Sequence, residues 1–172
     1  NKPMTVSELF GLKKEEPNQL FSLSLTYQVI DGNSEQAKNI LETCKKKLLN
    51  NYGLKTLAKG EENYIEIYEG NGAKRDMSYH QGITWVWLLG LYYNSLKNII
   101  KSTKTKKEKT ELEEELQKFI DNVNKTFKKD LYEDGCIGSI SEIYDSKKPQ
   151  LPKGAFAQAW SVAEVFRIIL EK

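Results

Sequence analysis

One histidine, two cysteines and four prolines are spread over 172 residues, and neither sign of charge dominates. His80, Cys44 and Cys136 stand apart from one another with no metal-ligand spacing, so neither a metal centre nor a metal cofactor is expected. Cys44 falls on a helical stripe and Cys136 beside glycines, which reads as two reduced thiols in a cytoplasmic protein. No phosphate-binding glycine loop and no serine nucleophile elbow occurs, and Gly70-Asn71-Gly72 is a turn. Twenty-six basic residues against 24 acidic ones leave a net charge of +2, which gives no electrostatic reason to expect nucleic acid or an anionic membrane as partner. The basic run Lys101–Lys109 is followed at once by acidic Glu111–Glu115 and reads as a solvated loop and helix face. No apolar run approaches the roughly 20 residues that span a bilayer. Asn1–Met4 carries no signal-peptide pattern, and a first residue other than Met suggests a piece excised from a longer chain.

Helical periodicity is abundant, and it comes in two alternating kinds. Gln19–Ile30, Ile83–Ile100 and Ala155–Leu170 are apolar on most sides, as helices buried all round would be. Ser34–Leu49 and Thr110–Phe127 each carry one stripe: Ala37, Ile40, Leu41, Cys44 and Leu48 on the former, Leu112, Leu116, Phe119, Ile120, Val123 and Phe127 on the latter. Asn33 and Gln36 are spaced as a capping box for the former. The length fits a single domain over residues 1–172, and the alternation predicts an all-α arrangement of helical hairpins in two concentric layers, inner and outer. Two long connections, 50–82 and 128–154, both lead into buried helices and therefore reach the same end, where a pocket is expected. Within the first, the short alternation Tyr64–Tyr68 suggests a minor strand.

The first long connection ends by gathering Asp76, Tyr79, His80, Gln81, Trp85 and Trp87. Indole faces stack on sugar rings while amide, imidazole and carboxylate groups bind hydroxyls, so this set suits carbohydrate. The same residues also fit a plain core in which the tryptophans are packed and His80 is hydrogen-bonded. The second connection brings Glu142 between Ile140 and Ile143, with Asp145, Gln158 and Trp160 close by in sequence. Glu142 there is either a general base acting on water or a capping or surface carboxylate. Glu164, well inside the last helix, reads as structural.

Four segments carry a family resemblance: Pro17–Ser24, Arg75–Gly90, Gly138–Asp145 and Gly154–Val165. In order and spacing they resemble the C-terminal part of the amylo-alpha-1,6-glucosidase domain of the glycogen debranching enzyme family. Val86 stands where relatives often have proline, Phe156 where they often have cysteine, and Thr26-Tyr27 replaces a Pro-aromatic pair. The resemblance implies an (alpha/alpha)6 toroid, of which this chain supplies the C-terminal part, and inverting hydrolysis of alpha-1,6-linked glucose at glycogen or limit-dextrin branch points. It implies Glu142 as general base with Asp145 as the alternative, and Asp76, Tyr79, His80, Gln81, Trp85, Trp87, Gln158 and Trp160 as substrate-binding residues. The family's acid lies in a Trp-Met-Asp-Ala-like motif that does not occur here, so the chain is expected to be inactive alone. Its expected partners are an alpha-glucan, the rest of the parent domain and, through unpaired apolar helix faces, further copies of itself. The rival readings are a non-catalytic glucan-binding module and a purely structural helical domain.

Overall fold

Five helical segments are predicted, and the computed structural model, which describes residues 14–171, shows which of them the local chemistry sustains. The opening Asn1–Met4 lies outside the described residues. Pro17, with its φ preset by its ring, starts a 3-10 turn, Pro17–Leu20, that runs into the short helix α1, Phe21–Ser24. The helix expected to continue to Ile30 stops there. Leu25 is extended, and Asn98 Nδ2 donates to the carbonyls of Leu23 and Leu25 at 2.8 and 3.3 Å, supplying the partners that a further turn would have given. Tyr27 and Val29 are then solvent-facing rather than buried, 90% and 77% exposed.

Helix α2, Glu35–Lys47, buries the predicted stripe. Its cap is Ser34, whose Oγ accepts from Ala37 N at 3.1 Å, so the cap sits one residue beyond the expected Asn33. Helix α3, Gly72–Tyr79, grows out of the expected turn because Asn71 Oδ1 accepts from Lys74 N at 3.1 Å. Helix α4, Leu88–Ser102, begins later than its apolar run, and it packs against α1, α2, α5 (Lys106–Glu133) and α6 (Ala159–Leu170). Helix α5 extends the predicted Thr110–Phe127 at both ends; Phe119 of its stripe packs on Tyr92 of α4 and Phe127 on Tyr52, while Lys38–Glu108 and Lys45–Glu115 ion pairs tie its rim to α2. Helix α4 is the centre of the core, with Leu89, Tyr92, Tyr93, Leu96 and Ile99 nearly inaccessible.

The protein is mainly helical, but not purely so. Among the described residues five strands of two or three residues form one antiparallel sheet in sequence order: β1 Leu49–Asn50, β2 Gly53–Lys55, β3 Thr84–Trp85, β4 Ile143–Tyr144 and β5 Pro152–Lys153. Strands this short carry no readable alternation, which is why an all-α expectation missed them. The alternating Tyr64–Tyr68 is not among the strands. It is held by isolated hydrogen bonds instead, Ile65 N to Gln81 O and Tyr68 N to Asp145 Oδ1. Pairing of Thr84 with Tyr144 and Trp85 with Ile143 joins the two long connections, so both do reach one end of the molecule. Among the described residues no helix is long and apolar enough to cross a membrane.

Candidate active site

The β3–β4 pair sets Trp85 beside the segment that carries Glu142, and there a cavity of about 620 Å³ opens. Tyr79, His80, Gln81, Trp85, Trp87, Glu142 and Trp160 line it together. Trp85 is buried in the strand and spends its indole N–H on Tyr79 O at 3.0 Å. His80 stacks on the Trp85 indole with centroids 5.2 Å apart and planes 11° from parallel. Trp160, at the start of α6, meets Trp85 and Trp87 at 6.0 and 5.9 Å and is itself 45% exposed, leaving part of its ring face open to a ligand. The aromatic wall thus combines a fixed indole with a more accessible one.

Three donors hold Glu142. Tyr79 OH donates to Oε1 at 2.6 Å and Gln158 Nε2 to the same oxygen at 3.2 Å, while Ala155 N donates to Oε2 at 3.2 Å. The backbone closes the loop, since Glu142 N donates to Ala155 O at 2.9 Å. Gly154 makes this approach feasible: its φ is +68°, and a Cβ there would collide with Glu142 Oε2. Burial, with the neighbouring Glu142 carboxylate adding to it, pushes the Tyr79 phenol far above its usual range, so the phenol remains a donor.

The other expected site residues lie elsewhere. Asp76 is exposed on α3 and does not line the cavity. Asp145 is 4% exposed, accepts from Tyr68 N at 2.8 Å and faces Lys153 Nζ at 3.7 Å, also outside the cavity lining. Gln158 acts on Glu142 rather than on the cavity surface. Glu16, Pro17, Asn18, Thr56 and Leu88 also line the cavity and escaped the sequence reading. Pro17 and Asn18 open a recognised segment, whereas Thr56 sits in a stretch with no motif. Glu164 bonds Arg167 at 2.6 Å, in keeping with a structural role. Among the described residues no group of three or more His, Cys, Asp and Glu side chains is placed to hold a metal ion.

A family model described as amylo-alpha-1,6-glucosidase matches residues 12–167, a span that contains all four recognised segments and every cavity-lining residue named above. The chain belongs to the amylo-alpha-1,6-glucosidase family. No curated protein matches it. The cavity of this family member thus sets an aromatic wall beside a carboxylate held by three donors; in general, indole faces can stack on sugar rings and a carboxylate can accept a proton.

Proposed function

We propose that this chain is the C-terminal part of an (alpha/alpha)6-toroid glucosidase that hydrolyses alpha-1,6-linked glucose at alpha-glucan branch points with inversion. Glu142 is the general base. The observation that carries this reading is Glu142 itself, fixed by Tyr79, Gln158 and Ala155 N in a cavity walled by Trp85, Trp87 and Trp160. In the proposed reaction Glu142 removes a proton from water as the water oxygen attacks the anomeric carbon. The glycosidic bond breaks on the opposite side, and a carboxylic acid protonates the departing oxygen. In inverting enzymes the two carboxyls stand about 6.5–9.5 Å apart so that water fits between base and sugar. The acid is assigned to a part of the parent outside these 172 residues, and Asp145, committed to Tyr68 and Lys153, supports the loop rather than the water.

A substrate whose leaving group needs no proton separates base from acid. The purified chain is expected to hydrolyse alpha-glucosyl fluoride slowly and to release no glucose from a branched limit dextrin. Glu142→Gln should lower the fluoride rate by about 10²–10⁴-fold, the range for loss of a general base. Equal fluoride rates in the two proteins would sink the base assignment, and glucose release from limit dextrin would sink the assignment of the acid elsewhere.

A further inference from the structure

Glu16 is a second carboxylate on the wall of the cavity that holds Glu142, and the proposed reaction leaves it without a task. Its backbone is fixed. Ala58 N donates to Glu15 O at 3.0 Å, Glu15 N donates to Glu61 Oε1 at 3.3 Å, and Lys47 Nζ bonds the Glu15 carboxylate at 2.6 Å. On the other side Gln19 Nε2 donates to Glu16 O at 3.0 Å, and Pro17 opens the 3-10 turn. Glu16 occupies the N-cap position of that turn, yet its side chain makes no capping hydrogen bond. Within the described residues its carboxylate accepts only from Asn18 Nδ2, at 3.3 Å, which is long for a charge-assisted bond. A carboxylate offers about four acceptor sites. Most of those on Glu16 are therefore left unused by the described residues.

The lining has no Lys or Arg among the described residues, so no permanent cation there neutralises Glu16 and Glu142. Such a wall disfavours anionic ligands and suits neutral donors such as hydroxyls. We propose that Glu16, with Asn18 beside it, is a specificity-determining residue that accepts a hydrogen bond from a hydroxyl of the bound glucosyl unit. This rests on the reading of the cavity as a glucose subsite. A carboxylate on a fixed backbone that lacks a strong internal partner gains its hydrogen bond from a sugar that carries the matching hydroxyl and loses it with one that does not.

Titration of the 172-residue chain with methyl alpha-glucoside and its monodeoxy analogues, followed by tryptophan fluorescence, tests the assignment. Glu16→Gln should weaken methyl alpha-glucoside by roughly 10-fold, the lower end for a hydrogen bond to a charged group. One monodeoxy analogue should lose a similar factor in the wild type and little or none in Glu16→Gln. Unchanged affinity in Glu16→Gln overturns the proposal, as does an equal loss on every analogue, which is the mark of a merely structural effect. If the wild type binds no glucoside at all, the glucose-subsite reading fails and this proposal fails with it; a binding wild type with an indifferent Glu16→Gln variant overturns the Glu16 assignment alone.

Discussion

Tyr144, two residues after Glu142, and Asp130 form a buried polar pair. Tyr144 OH donates to Asp130 Oδ2 at 2.5 Å, both residues are almost fully buried, and Asp130 Oδ1 has no hydrogen-bond partner among the described residues. Tyr52 stacks on Tyr144 at 4.1 Å and closes the site with an apolar face. Burial raises the Asp130 carboxyl above its ordinary 3.8, with the Tyr144 hydrogen bond and Lys129 opposing the rise and Asp134 assisting it. The folded state therefore holds this proton more tightly than the unfolded chain does. Its stabilising contribution is fully present below pH 3.8 and is lost as pH rises through the folded value. The urea midpoint of wild type minus that of Asp130→Asn should accordingly fall as pH rises from the acid side of this window, since Asn keeps an acceptor for Tyr144 and does not ionise. A difference independent of pH across the carboxylate range would contradict it.

At the scale of elements, helix packing here turns on one glycine. Gly90 lies in the first turn of α4, and a Cβ there would run into the Glu164 carboxylate and come within 2.9 Å of Arg167 Nη2 on α6. A carboxylate is the free end of a flexible side chain, but this one is pinned, because Arg167 Nε and Nη2 donate to Oε2 at 3.1 and 2.6 Å and Arg167 Nη1 also holds Asn94. Moving Glu164 breaks that set. Gly→Ala in a helix gains up to about 1 kcal/mol in propensity, whereas overpacking a fitted contact costs about 1–3 kcal/mol. Gly90→Ala should thus be neutral to destabilising by about 1–2 kcal/mol. In a Glu164→Ala background the same change should become stabilising, and chemical denaturation of the four proteins of this cycle reads the reversal. The single stripes of α2 and α5 were readable because tertiary burial follows their own 3.6-residue period. The end of α1 was not, because Asn98, more than 70 residues away, takes its carbonyls. The sheet was hidden because two residues per strand carry no period. At the site, Glu142, His80 and the tryptophans were readable from residue type and motif, whereas Glu16 and Thr56 enter the cavity through folding of segments distant from it in sequence.

For the whole molecule, the apolar residues that stay at the surface decide its behaviour in solution. Periodicity predicts three helices in an inner layer, whereas among the described residues only α4 is enclosed on most sides. Helix α6 buries Ser161, Val165 and Ile168 and leaves Phe166 and Leu170 42% and 70% exposed, while Leu25, Tyr27 and Val29 are exposed after α1. The remaining hairpins of the proposed toroid are the natural cover for such faces. In the isolated 172-residue chain that cover is missing, and apolar area removed from water yields roughly 25 cal/mol per Å². A net charge of +2 offers little repulsion against association. Reversible self-association is therefore expected, with the weight-average mass in sedimentation rising with protein concentration. Because the driving force is apolar, added sulfate should strengthen it, whereas contacts made by surface ion pairs would weaken with salt. Phe166→Ser with Leu170→Ser, or Tyr27→Ser with Val29→Ser, should lower the apparent mass at fixed concentration, and the more effective pair identifies the face in contact. A monomer at every concentration, with and without sulfate, would show that these side chains are too dispersed to form a sticky surface.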